Sequence, residues 1–191
     1  MAGSIRVAGH TIAEHDIVND KVDIKNATLG SSVTFPAGHV LQVVHTENTE
    51  ANALDDTYTN YYEVPLTLKS NSSDIIVSFT FSYRLSVDAS GFGVKIYRKN
   101  SAGVTTSDTA VWTKNNRNST GPFSIYASGV NSLYGISSIT GKDVLTGLNV
   151  GDTIYYALFA RRYQSNDTVV LPASSAEENG FFSSLITEVQ K

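Results

Sequence analysis

The chain is predicted to be all-β: an antiparallel β-sandwich or jelly-roll-like head with an extended N-terminal arm. Three observations lead there. Helical periodicity is almost absent from its 191 residues, whereas two-residue alternation recurs. β-Branched and aromatic runs, drawing on ten tyrosines and eight phenylalanines, are separated by turn-forming clusters of Gly, Asn, Ser and Asp. About nine such runs follow one another at short spacing, which suits two packed antiparallel sheets.

Residues 1–34 come first and differ in kind. Ile5 and Val7, then Val22 and Ile24 among Lys21, Asp23 and Lys25, form short β-like pieces broken by polar turns and free of aromatics. So little apolar surface does not order itself, and the stretch is expected to lie on the domain or on another subunit. The reading therefore divides the chain into an attachment arm, 1–34, and a head, 35–191. At TFPAGH, Pro36 fixes φ and Gly38 permits a sharp change of direction, so the chain turns there into the head's first strand.

Strands are expected at 38–45, 61–68, 75–85, 93–98, 109–112, 123–127, 152–163, 167–171 and 182–189. In the first, His39, Leu41, Val43 and His45 would share one face. In the third, Val77, Phe79, Phe81 and Tyr83 alternate with Ser78, Thr80, Ser82 and Arg84, the pattern of a strand with one buried and one polar face. Segment 152–163 differs, because Ile154, Tyr156, Leu158 and Ala160 alternate with Tyr155, Ala157 and Phe159. Being apolar on both sides, it is expected to lie centrally or to meet a partner subunit.

Composition narrows the function. Apolar residues make up 41% and charged residues only 17%, so the chain can bury a core. A net charge of −4 with no dense Lys/Arg cluster argues against nucleic-acid binding. With no cysteine, disulfides, thiolate zinc sites and thiol nucleophiles are excluded. The first twenty residues carry charges and histidines where a signal peptide needs an apolar run, and no stretch reaches the ~18 apolar residues of a membrane span. Cytoplasmic synthesis without membrane insertion is the expectation, and the N-x-S/T sequences at Asn26, Asn71, Asn118 and Asn166 are read as by-products of composition.

Candidate chemistry is sparse. His39 and His45 are six residues apart, about 20 Å along a strand, too far to share a metal within one chain. Either is placed instead as a candidate trimer-axis residue. Asp55-Asp56 and Glu177-Glu178 are adjacent carboxylates in polar loops, without the apolar pocket that acid catalysis needs. No metal, cofactor or catalytic residue is assigned. Tyr58, Tyr61 and Tyr62, from an aromatic set that includes Trp112, Tyr126 and Tyr134, are candidates for a receptor or glycan surface, since amphipathic rings stack on sugar faces. The polar loop 113–121 adds Asn115, Asn116 and Arg117 to that surface.

Four stretches in order carry a resemblance: VTFPAGHVLQVV at 33–44, SNSSDIIVSF at 70–79, GDTIYY at 151–156 and SSLITEV at 183–189, with SIRV near the start. Together they resemble the small β-domains of structural proteins from tailed bacteriophages, especially of marine and cyanobacterial hosts, either tail-fibre-like or capsid-decorating. The resemblance implies a non-enzymatic homotrimer on the virion surface, held to a major capsid or tail protein through residues 1–34. The chain carries no shaft repeat, collagen-like run or coiled-coil heptads, which inclines the expectation to capsid decoration. The alternative is a tail-fibre or spike head that binds host-surface polysaccharide.

Overall fold

The computed structural model describes residues 4–7, 10–16, 21–24, 37–85, 90–111, 123–127, 133–163, 169–172 and 180–191. The chain divides into two compact units, Met1–Phe35 and Pro36–Lys191. In the first, β1 (Ser4–Val7), β2 (His10–Asp16) and β3 (Lys21–Ile24) form a three-stranded antiparallel meander, with an irregularity between Ile5 and Arg6. The short β-like pieces at Ile5 and Val22 thus pair through the histidine-bearing strand between them.

The second unit is built from β4 (Val40–Asn48), β5 (Asn52–Ala53), β6 (Thr59–Thr67), β7 (Ser73–Leu85), β8 (Ser90–Lys99), β9 (Thr109–Ala110), β10 (Phe123–Ala127), β11 (Leu133–Val144), β12 (Thr153–Arg162), β13 (Val169–Leu171) and β14 (Phe182–Gln190). Its eight long strands pair in a nested, antiparallel pattern: β4 with β14, β6 with β12, β7 with β11 and β8 with β10. Pairing of β14 with β7 and of β12 with β8 joins these hairpins into two sheets, β4-β14-β7-β11 and β6-β12-β8-β10. This is the strand order of a jelly roll, reached because successive strands cross between sheets instead of lying side by side. The fold class expected from the sequence is the one observed.

The core lies between the two sheets. Ile75, Val77, Phe79 and Phe81 of β7, Phe92, Val94 and Ile96 of β8, Ile154, Tyr156, Leu158 and Ala160 of β12, and Phe182 and Ile186 of β14 are all fully buried. Each large apolar side chain among them stabilises the fold by about 1.5–3 kcal/mol. The rings interlock: Phe81 meets Phe92 edge-on at 6.2 Å between centroids, and Tyr62 stacks on Phe182 at 5.6 Å. Asp143, Arg98 and Tyr156 add a polar cluster, with Arg98 Nε 2.7 Å from Asp143 Oδ2 and the Tyr156 hydroxyl donating to the same oxygen at 3.0 Å. Burial pushes the Asp143 carboxyl up, against the downward pull of Arg98, and pushes the Tyr156 phenol up as well.

Three details depart from the sequence reading. The twelve-residue strand β11 had no predicted counterpart, because its inward positions include Gly135, Ser137, Gly141 and Asp143 and carry no apolar alternation. Gly135 is needed there: a Cβ would collide with the Tyr83 hydroxyl and lie 2.5 Å from Tyr83 Cζ. Secondly, β4 begins at Val40, and its register with β14 shifts between Val40 and Gln42. Leu41 is a bulge residue, so Val40 and not His39 falls on the face of Val43 and His45, which corrects the shared-face expectation.

The third correction concerns β12. It is central, as expected, but its outer face meets the chain's own loop. Tyr97, Val104, Ala157 and Phe159 form a second buried cluster, with Tyr58, Ala110 and Tyr155 packed against it. The 100–108 loop is strapped over this face by Glu63, whose carboxylate accepts from Gly103 N–H at 3.0 Å and Val104 N–H at 2.9 Å. The apolar surplus of 152–163 is thereby covered without a subunit interface.

Candidate functional site

The two outer faces of the jelly roll have opposite characters. On the β4-β14-β7-β11 sheet, the ladder aligns Val43, Thr187, Ile76 and Lys142 in one row, and His45, Leu185, Ser78 and Thr140 in the next. Val40, Val43, Ile76, Ile136, Val144 and Leu185 are exposed by 40% to 66% on this side. Hydroxyls bond across the strands between them, Ser78 with Thr140 at 2.7 Å and Thr80 with Ser138 at 2.6 Å. The charges are largely paired: Lys142 and Lys191 lie 2.6 and 3.3 Å from the Asp74 carboxylate, whose pKa falls below the usual range chiefly through the Lys142 contact. Six exposed apolar side chains, interspersed with paired hydroxyls and paired charges, lie on this one sheet face and mark it as a candidate interaction surface.

The outer face of β6-β12-β8-β10 is closed by the 100–108 strap over part of its area, and beside the strap it carries charge. Lys95 of β8 pairs with Phe159 of β12, and Arg161 of β12 pairs with Gly93 of β8, so the two cations lie diagonally on one face. Tyr58, just before β6, lies against both. Lys95 Nζ is 4.3 Å and Arg161 Cζ 5.1 Å from the centroid of its ring. Burial pushes the Tyr58 phenol up to about 12, with the Arg161 charge pulling the other way.

The sequence-predicted residues part company here. Tyr62 belongs to the core: it is 9% exposed, stacked on Phe182, and its hydroxyl donates to Thr46 Oγ1 at 2.6 Å. It is therefore removed from the receptor surface, because its place on β6 faces inward. Tyr61 is half-buried, its hydroxyl accepting from Asp55 N–H at 3.2 Å and lying 3.3 Å from the Ala53 carbonyl it donates to, so it braces the 53–55 loop. Only Tyr58 of the three reaches a charged surface. Asn115, Asn116 and Arg117 lie outside the described residues, as do Trp112, Glu177 and Glu178.

His39 is exposed, and its carbonyl accepts from Gln190 N–H at 2.9 Å, next to Gly38, whose φ of 85° needs glycine. His45 is half-exposed on the apolar face, with Nε2 3.0 Å from Ser183 Oγ and 3.5 Å from the Glu47 carboxylate. Asp55 and Asp56 are exposed loop residues. Among the described residues, no group of three or more His, Asp or Glu is placed to hold a metal, and no helix is long and apolar enough to cross a membrane.

Lys95 and Arg161 were absent from the predicted surface. Each is unremarkable in sequence, and only the register between β8 and β12 brings them together. In β8, Lys95, Tyr97 and Lys99 alternate with Val94 and Ile96, and this alternation was the one sequence signal that places Lys95 on the outer face.

The described head is thus a jelly roll with a largely apolar core that also buries Asp143 and Glu188, one outer face rich in exposed apolar side chains and one cationic outer site. No family model matches the chain, and no curated protein does. Solved structures of infectious bursal disease virus are similar to it. The Gx-strain structure has 10% identity, covers all of this chain and 46% of its own, and gives a TM-score of 0.28. The Gt-strain structure has 12% identity, covers 87% of this chain and 45% of its own, and gives 0.23. The chain spans less than half the length of either.

Proposed function

We propose that this protein is a non-enzymatic structural component of a bacteriophage virion, displayed on the particle surface as a homotrimer and made in the host cytoplasm. Copies assemble through the outer face of the β4-β14-β7-β11 sheet, and residues 1–34 attach the protein to a major capsid or tail protein. Capsid decoration is the preferred role. A tail-fibre or spike head that binds host-surface polysaccharide is the second reading, favoured by the cationic site around Tyr58.

The observation that carries the assembly reading is the exposed apolar sheet face. At about 3.4 Å per residue and 4.8 Å per strand, four strands averaging roughly eleven residues cover about 700 Å². That footprint, apolar and hydroxyl positions together, is close to the ~800 Å² per partner of a stable interface. Jelly rolls serve as viral capsid domains, lectins and cupins, so the fold alone does not choose among them. The copy number rests on the phage-family resemblance.

The test is the mass of the purified full chain in solution, by sedimentation velocity at micromolar concentration. A trimer is expected, and Ile76→Glu with Leu185→Glu should convert it to folded monomers with an unchanged far-ultraviolet circular dichroism spectrum. A monomeric wild-type chain, or a double variant that stays trimeric, overturns the assembly reading. A density map of particles containing the chain decides between shell and tail.

A further inference from the structure

We infer that Lys95, Arg161 and Tyr58 form a binding site for an oxyanion, the sulfate or carboxylate class of group that acidic polysaccharides display. The inference deepens the second reading above and does not depend on the trimer. The two cations flank a single ring, at 4.3 and 5.1 Å from its centroid, so their charges lie within one Debye length of each other, about 10 Å at 0.1 M salt. Among the described residues the ion pairs join His45 to Glu47, Arg98 to Asp143, Lys99 to Asp108, and Lys142 and Lys191 to Asp74, so no described carboxylate pairs with Lys95 or Arg161, and both lie against Tyr58. Two like charges held on one partly buried face repel, and a shared anion turns that repulsion into attraction.

Unused donors point the same way. Tyr58 Oη and Arg161 Nε are buried and poorly satisfied: beyond the contact that Arg161 makes with the Tyr58 side chain, neither meets an acceptor among the described residues. Buried donors without an acceptor are costly, and an oxyanion drawn in by the half-exposed Lys95 supplies one after a small turn of the two side chains. The division of labour follows from the groups: the guanidinium offers a planar fork that can grip two oxygens, the ammonium a compact point charge, and the phenol a single O–H donor. The strap over the neighbouring cluster, tied down by Glu63 and by Lys99 Nζ at 3.3 Å from the Gly103 carbonyl, fixes one wall of the site.

The experiment uses the full chain, with sodium sulfate, dextran sulfate and uncharged dextran as probes at constant ionic strength, read by isothermal titration calorimetry. Saturable binding of sulfate groups is expected, with no binding of dextran. Lys95→Gln combined with Arg161→Gln should weaken it at least tenfold, and Tyr58→Phe, which keeps the ring but not the hydroxyl, by about threefold. Lys142→Gln, on the other sheet, is the control for diffuse attraction and should leave binding unchanged. Binding of both sulfate probes assigns the site to sulfated chains as well as free anions; binding of sodium sulfate alone confines it to small anions. The inference is overturned if neither charged probe binds, or if Lys142→Gln weakens binding as much as the paired variant. Should the paired variant fail to fold, Lys95→Gln alone carries the test, and binding equal to wild type overturns the inference. Anion binding by a chain that proves monomeric would leave this site standing while the assembly reading fell.

Discussion

Glu188 is the residue whose removal should damage the head most per atom lost. It is fully buried on β14, and its carboxylate gathers donors from three separate segments. Oε1 accepts from Ser70 N–H and Ser73 Oγ, both at 2.9 Å; Oε2 accepts from Lys69 N–H at 3.0 Å and Gln42 Nε2 at 2.5 Å. The Lys69–Ser73 turn that carries the chain from β6 in one sheet to β7 in the other is thereby pinned to β14. Alanine would leave the two turn N–H groups and the Ser73 hydroxyl without an acceptor, while Gln42 Nε2 would keep only the Thr67 carbonyl, at 2.7 Å. Hydrogen bonds to a charged group contribute about 1.5–3 kcal/mol each, and relieving part of that loss to water leaves a net cost on the order of 4 kcal/mol. For a unit the size of Pro36–Lys191, 1 kcal/mol moves Tm by about 2–4 °C, so Glu188→Ala should melt on the order of 10 °C below wild type. Glu188→Gln should recover less than half of this, because its NH₂ group faces donors where the carboxylate accepted. Thermal melts followed by circular dichroism decide it. An alanine variant within about 2 °C of wild type would refute the clamp.

Two further perturbations probe other parts of the head. Gly135→Ala forces the Tyr83 ring, packed on Phe92 at 5.3 Å, to move, and should cost about 1–3 kcal/mol in urea unfolding. Pairing it with Tyr83→Leu should cost clearly less than the sum of the two single changes, and strict additivity would contradict the collision. At acid pH, Asp74 sets the sign: its carboxyl is held below the ordinary 3.8 chiefly by Lys142, so the folded state binds fewer protons than the unfolded one as the pH falls. The stability it contributes is present above that ordinary value and is lost as the pH drops through the depressed one. Lys142→Gln should therefore flatten the fall in urea midpoint between pH 4 and 2, and an unchanged slope would refute this role.

Much of the fold was legible because strands with one face on a core announce themselves. Val77, Phe79 and Phe81 alternate with hydroxyls and are fully buried, while Ser78 and Thr80 point outward and bond to β11. What hid β11 was the same rule read in reverse: its partner β7 supplies most of the large side chains, so glycine, serine and Asp143 fill inward positions of β11 beside Leu133 and Ile139, and Ile136 falls on the opposite face. Strand order was not legible at all. It depends on which apolar faces meet across the nested pairs, and every one of those faces is built from the same few residue types.

For the sites, the limit was distance along the chain. Tyr58, Lys95 and Arg161 come from three segments, and nothing local to any of them marks it, since a lysine or arginine on a strand is ordinarily a solvated surface charge. The sequence pattern does show that the outer face of β12 is apolar at Tyr155, Ala157 and Phe159, but not that the 100–108 loop covers it. That cover changes the argument about assembly. If β12 needed a partner subunit, the β6-β12-β8-β10 face would be the interface and the cations would be buried in it. With the strap in place, the demand for a partner moves to the other sheet, where Val43, Ile76, Ile136 and Leu185 stay exposed. On the proposed reading the cationic site is left open to a ligand while copies meet on the opposite face, so Ile76→Glu with Leu185→Glu should dissociate the protein without loss of sulfate binding, measured by calorimetry on the dissociated form. Loss of both together would mean that one surface serves both purposes.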